Sequence, residues 1–200
     1  MTIMFHEGNR QLQDQFDSRR IADRLEEKLT RQAFTEGDRS LIEALPFFFL
    51  ATSDDRGRAD CSFKGGLPGF VRVTGASELA FPDYDGNGMF KSLGNIVVNP
   101  EVGLLFIDMG DKPRRLRVNG RATVLRDDPL MQKFAGAQLL VRVAVRAIFP
   151  NCPRYVTTPG VAEPSKYAPR PGYEPPEPAW KGFDDFKDYV HPRQKTPDGA

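Results

Sequence analysis

Proline is spread unevenly along this chain, and that unevenness limits what most of its last quarter can become. Eleven of the 17 prolines lie between positions 150 and 197, while six serve the preceding 149 residues. Proline lacks a backbone donor and clashes with the preceding helical turn, so a segment this rich in it continues neither a packed helix nor a central strand. Tyr167, Tyr173, Trp180, Phe183 and Phe186 are scattered through it, which predicts an extended arm docked on its own subunit or on a partner. The chain therefore divides into N-terminal helices over residues 1–45, expected to pack on a central domain at 46–156, and a Pro-rich C-terminal arm at 157–200. The central part has the size of an ordinary domain. A chain of 200 residues also buries enough surface to need no metal or disulfide staple.

Before the proline boundary the apolar pattern changes once. Phe16, Ile21, Leu25 and Leu29 recur at helical spacing among charges. Thr35, followed three residues later by Asp38, reads as a capping box opening a helix with Leu41, Ile42 and Leu45, which Pro46 stops. From Phe47 onward the runs are short. Residues 47–53 and 102–108 read as strands buried on both faces, with Phe47–Phe49 as core. Residues 59–64, 70–73, 79–81, 115–125 and 139–149 read as further strands. Asn119-Gly120 marks a hairpin or a bulge. Closely spaced short strands with few helices between them argue for an antiparallel barrel rather than a βαβ sheet.

Charge and cysteine usage remove several classes of function. Lys and Arg total 28 against 27 Asp and Glu, a net charge of +1, so there is no electrostatic footprint for bulk nucleic acid. Cys61 and Cys152 form no CxxC pair, and both read as structural thiols. His6 and His191 have no partner at ligand spacing, so no metal site is expected. No apolar run is long enough to span a bilayer. The first ten residues carry no basic stretch leading into an apolar one, which points to a cytoplasmic protein.

Three stretches carry more chemistry than a core requires. In DCSFKGG (60–66) a strand sets Asp60, Ser62 and Lys64 on one face and Cys61 and Phe63 on the other. That row is either a binding face or the solvated outside of a barrel. In residues 81–100 a strand end runs into Gly86-Asn87-Gly88 and then a helix with Met89, Leu93, Ile96 and Val97 on its apolar side, stopped by Asn99-Pro100. Its first-turn N–H groups, with Asn87, Lys91 and Ser92, would form a phosphate cradle or an ordinary capped connection. KPRRLRVNG (112–120) offers Arg115 and Arg117 for an anion, or as solvated charges beside an apolar strand.

Taken in order, SFKGG, LAFPDYDGNGMFKSLGNIVVNP, VGLLFID and RRLRVNG resemble the pyridoxamine 5′-phosphate oxidase-like flavoproteins. The resemblance covers residues 45–124 best and 139–155 more loosely. It implies a mainly β, α+β fold: a six-stranded antiparallel split β-barrel with flanking helices, forming a homodimer with flavin mononucleotide (FMN) in clefts at the interface. Position by position it implies that Ser62 and Lys64 face the phosphate, and that Pro82 and Asp83 contact the flavin. Asn87, Lys91 and Ser92 complete the phosphate site. Arg115 falls where the polar edge of the ring is met from the other subunit. Apart from the resemblance, Arg117 would serve the same edge, and Arg154 would reach the cleft as an anion- or substrate-binding residue. The implied activity is an FMN-dependent oxidoreductase that passes hydride through flavin N5 to or from a small molecule or electron carrier. The alternatives are a non-catalytic flavin- or tetrapyrrole-binding storage or sensing protein, and a deazaflavin-dependent reductase. The classical Arg-Lys phosphate pair is here Lys91-Ser92, and the family's late Trp and Arg substrate signature is not evident.

Overall fold

Alternating burial along each strand decides which way this sheet faces. A computed structural model describes residues 4–110, 112–151, 170–177, 179 and 184. In β1 (Phe47–Ser53) Phe48, Leu50 and Thr52 are buried, while Phe47, Phe49 and Ala51 point the other way. The strand expected to be buried on both faces is therefore buried on one, and Phe48 alone of the aromatic run is core. The same alternation runs through β5 (Glu101–Asp108), where Val102, Leu104 and Phe106 are buried. It continues in β6 (Arg114–Leu125), with Leu116 and Val118. With β2 (Ala59–Gly65), β3 (Arg72–Gly75), β4 (Glu78–Tyr84) and β7 (Ala137–Asn151), these form one antiparallel sheet in the order β2-β1-β5-β6-β7-β4-β3.

The sheet curls on itself. Phe48 on β1 lies 4.9 Å from the Phe81 ring on β4 and 5.2 Å from Phe106 on β5, although three strands separate β1 from β4 in the sheet order. Only a curled sheet brings those rings together, with its two ends, β2 and β3, left unpaired with each other. This is a split barrel. Among the described residues it has seven strands instead of the expected six, because the short β3 pairs there with β4 alone and extends one end of the sheet. Asn119-Gly120 makes a bulge and no hairpin: β6 runs straight through it while the β6–β7 register shifts. A Cβ on Gly120 would stand 2.3 Å from the Ala144 carbonyl oxygen, so only glycine fits that crossing.

The helices divide into two kinds. α3 (Glu36–Ala44) buries Leu41 and Ile42 in the barrel core. Its start is the predicted capping box: Asp38 N–H donates to Thr35 Oγ1 at 3.1 Å, and Thr35 N–H donates to Asp38 Oδ2 at 2.9 Å. Thr35→Ala is expected to cost about 1 kcal/mol in urea unfolding, since it removes one cap and frees a carboxylate. α1 (Glu7–Gln15) and α2 (Arg19–Leu29), split at Asp17 with its left-handed φ of 48°, bury no residue. Of the three N-terminal helices, α3 is the one that buries side chains among the described residues. The apolar side chains of α1 and α2, Leu12, Phe16, Ile21 and Leu25 among them, remain exposed. The chain joins the barrel only after α2, where Arg31 and Ile148 exchange backbone hydrogen bonds at the edge of β7. Among the described residues no helix is long and apolar enough to cross a membrane. Most of the arm at 157–200, with Cys152 and Arg154 just before it, lies outside the described residues.

Candidate functional site at the split of the barrel

The register of β1 with β2 determines where the DCSFKGG row points. Lys64 stands opposite Phe48, Ser62 opposite Leu50, and Asp60 opposite Thr52. Directly opposed residues in an antiparallel pair share a face, so all three look into the barrel. Cys61 and Phe63 look out; Cys61 is an exposed free thiol, and Phe63 is 62% exposed. On β4, Phe81 touches Phe48, and Asp83 two residues on shares its face. Lys64 and Asp83 thus flank one aromatic pair from the two sides of the split, one on each margin.

Their charges feel one another. Burial pushes the Lys64 ammonium below its ordinary pKa, while the Asp83 and Asp60 carboxylates pull it back up. Burial pushes Asp83 above the usual carboxylate range, opposed by Lys64. The adjacent Tyr84 phenol is pushed up to about 12 by burial. Ser62 Oγ is buried with no hydrogen-bond partner among the described residues. Such a group costs about 1–3 kcal/mol unless something meets it.

α4 (Lys91–Val98) closes the same region, packing on β1, β2 and β6. Asn95 Nδ2 donates to Thr52 Oγ1 at 2.9 Å, and Asn99 Nδ2 donates to Ser53 Oγ at 2.9 Å. These bonds pin the helix to the end of β1, and Asn99-Pro100 ends it as expected. Asn95 escaped notice in the sequence, although an amide three residues after Ser92 on a buried helix face was a readable signal. The helix starts two residues later than the apolar pattern suggested. Met89 and Phe90 precede it, Phe90 in a left-handed conformation with φ 47°, and Val97 is exposed. No side chain caps the first turn. Ser92 is buried and Lys91 exposed at that turn. Asn87 is exposed and already accepts from the Met89 N–H.

The remaining sequence-derived residues fall elsewhere. Pro82 lies on the outer face of β4, opposite Leu140, which packs with Phe134 and Ala80 in a second small core. Arg115 and Arg117 pair with Ile107 and Leu105, and Leu105 pairs with Phe49, so both arginines share the outer face with Phe49. Arg117 sits 5.9 Å over the Phe149 ring. Within one chain the structure therefore brings together Ser62, Lys64 and Asp83, and sets Arg115 and Arg117 on the opposite side of the sheet. No cluster of three metal-ligating side chains exists among the described residues.

The donors available here are a buried hydroxyl with no partner among the described residues and an ammonium, both on β2, together with the uncapped first turn of α4, a helix that packs on β1, β2 and β6. That set suits a phosphate ester, because ionised acceptors form the stronger hydrogen bonds and helix N-termini present free N–H groups. The family model for pyridoxamine 5′-phosphate oxidase matches residues 34–156, a span that runs from just before α3 to beyond β7 and contains every residue of this site. The chain belongs to that family.

Solved structures similar to it include HupZ of Group A Streptococcus, at 16% identity over 64% of this chain and 99% of that one, TM-score 0.47. Another is an FMN-binding protein of Syntrophomonas wolfei, at 13% identity over 70% and 97%, TM-score 0.45. A third is the heme storage protein HutZ of Vibrio cholerae, at 16% identity over 55% and 89%, TM-score 0.42. No curated protein matches the sequence.

Proposed function

We propose that this protein is a cytoplasmic, homodimeric FMN-dependent oxidoreductase acting on a small molecule or an electron carrier. The observation that carries the cofactor assignment is the buried, unpartnered Ser62 Oγ beside the half-buried Lys64 ammonium, inside a barrel of the oxidase family. Ser62 and Lys64 would hold the phosphate together with Ser92, Lys91 and the first-turn N–H groups of α4. Bound FMN supplies hydride transfer through N5, so the chain need contribute no nucleophile. Its own work is to grip the phosphate and to keep the isoalloxazine edge near polar groups. Asn87 belongs to this set only through its amide nitrogen, its oxygen being engaged within the loop.

The dimer is supported by the outer face of the sheet. Phe47, Phe49 and Phe63 form a ring cluster there, with Phe47 and Phe63 stacked at 5.3 Å. An exposed aromatic patch of this kind marks an association surface. Arg115 and Arg117 on that face would reach a cleft only across a contact with a second copy, which is the arrangement the polar edge of the flavin calls for.

An absorbance spectrum and a mass of the chromophore that co-purifies test the cofactor. A flavin band pair and the mass of FMN support the reading; a colourless protein that binds no added FMN ends it. Bleaching by NADH or NADPH with recolouring in air marks an enzyme, and a flavin that never turns over marks a carrier. Lys64→Ala is expected to weaken FMN binding 10- to 100-fold in flavin-fluorescence titration, the loss of one charge-assisted hydrogen bond (about 1.5–3 kcal/mol). Parental affinity in this variant would remove Lys64 from the phosphate site.

A further inference from the structure

α4 is apolar on nearly every side, yet the chain covers only part of it. Ser92, Leu93, Asn95 and Ile96 are buried against the barrel, while Gly94, Val97 and Val98 are exposed. Phe90 is 48% exposed and Val97 73%. Gly94 N–H donates to the Phe90 carbonyl at 2.7 Å, so Phe90 stands one turn before Gly94, and Val97 and Val98 one turn after it. These four residues share the bare face at helical spacing. A helix without a polar face belongs in an interior. One of eight residues is also too short to hold itself on propensity alone. At Gly94 a Cβ would meet nothing within 4 Å, and the backbone there is not left-handed. Glycine is the poorest helix former after proline. Among the described residues nothing requires glycine at this position; a close approach by another surface does.

We propose that the bare face of α4 is the seat of a second copy of this chain, with Gly94 as the notch that lets the copy come close, and that the dimer thereby completes the phosphate site. The inference rests on the cofactor and dimer readings above. Two observations select a second copy. First, α4 packs on β2, the strand at one end of the sheet, with Leu93 and Ile96 in the inner core. Phe63 of the aromatic patch stands on the outer face of β2, so apolar surface continues on both sides of one free sheet edge. Together the two surfaces offer most of the roughly 800 Å² per partner that a stable interface buries. Second, the face carries no charge, and Lys91 at its margin is the one ionisable residue of α4. It therefore lacks the basic stripe that an anionic membrane or a nucleic acid needs. The consequence for the site is direct. The first turn of α4 has no side-chain cap and follows the left-handed Phe90, so Ser92 and the free N–H groups hold their places only while both sides of the helix are covered. FMN and the second copy support each other, as two ligands of one helix must by thermodynamic reciprocity.

Sedimentation velocity of the full-length protein at micromolar concentration, with Gly94→Arg and Val97→Lys beside the wild type, tests the seat. Fluorescence titration with FMN tests the linkage. Both substitutions fall at exposed helix positions and raise helix propensity, so the single chain keeps its fold, which far-UV circular dichroism checks. The wild type is expected to sediment as a dimer. Each variant should raise the dimer Kd about 100-fold, as loss of an interface hot spot does, and as a monomer should bind FMN about tenfold more weakly. If Gly94→Arg fails to fold, Val97→Lys alone decides. Variants that dimerise as the wild type does overturn the inference and leave the cofactor assignment standing. Monomeric variants with wild-type FMN affinity overturn the linkage. A monomeric wild type gives the face to another molecule and overturns both the seat and the dimer. Weaker FMN binding by a Gly94→Arg protein that is still a dimer would put the notch against the cofactor and overturns the seat. A dimer that both variants split but that binds no FMN supports the seat and overturns the cofactor assignment, and the linkage with it.

Discussion

Phe48→Ala is expected to lower the unfolding free energy by about 3–5 kcal/mol, the usual cost of truncating a fully buried phenylalanine. Phe48 is fully buried, and its ring meets Phe70, Phe81 and Phe106. It is thus the point where β1, β4, β5 and the segment before β3 converge, so a cavity there has no single neighbour free to collapse into it. A domain of this size has about 5–15 kcal/mol in total, and the loss should show as a large fall in the urea midpoint by far-UV circular dichroism. Phe47→Ala, one residue away on the outer face, is the internal control and should cost the isolated chain about 1 kcal/mol or less. Equal losses for the two variants would mean that the strand is buried on both sides after all.

Arg142→Ala is expected to cost about 2–3 kcal/mol and to change how stability depends on acid. Arg142 Nε donates to Asp128 Oδ2 at 2.7 Å, and a second nitrogen donates to Glu78 Oε1 at 2.7 Å. The guanidinium thereby ties β7 to β4 and to the short 3-10 helix (Pro129–Lys133), whose first turn Asp128 caps through Leu130 N–H. Without the arginine, Asp128 remains as a buried carboxylate holding one N–H, and leaving such a charge unpaired is expensive. Arg142 holds the Asp128 carboxyl below its ordinary pKa. A carboxyl depressed in the folded state stabilises fully above its unfolded value, near pH 4, and that contribution fades as pH falls through the lower folded value. Wild-type stability should therefore drop below about pH 4, and Arg142→Ala should show a shallower drop. Parallel pH profiles for the two proteins would place the acid-labile carboxylate elsewhere.

How much of this was legible in the sequence depended on whether the signal was local. The Thr35–Asp38 box, the stop at Asn99-Pro100 and the facing of Asp60, Ser62 and Lys64 all follow from spacing within a few residues, and the structure has each of them. Ambiguity arose where facing depends on a distant strand. PFFFLATS is apolar at nearly every position, and only its pairing with β2 and β5 shows that Phe47 and Phe49 look outward. Pro82 and Asp83 were grouped as neighbours in sequence, but the pleat sends them to opposite faces. Arg115 and Arg117 could be placed on one face together, yet which face was fixed only by the partners Leu105 and Ile107. The exposed α1–α2 pair was invisible for a related reason: an amphipathic pattern states that a face wants cover without stating what covers it.

The strand order also governs how the molecule comes into being. The hairpins β1–β2 and β3–β4 are translated first, yet in the sheet they are held apart by the later β5–β6–β7 meander. β4 finds its long neighbour only when β7 has emerged, some sixty residues afterwards. Pairings this remote in sequence close slowly, since much loop entropy is lost before any contact forms. Lys64 and Asp83 are both made early, so a nascent chain interrupted before β7 has two finished hairpins and no closed barrel to set them on one inner face.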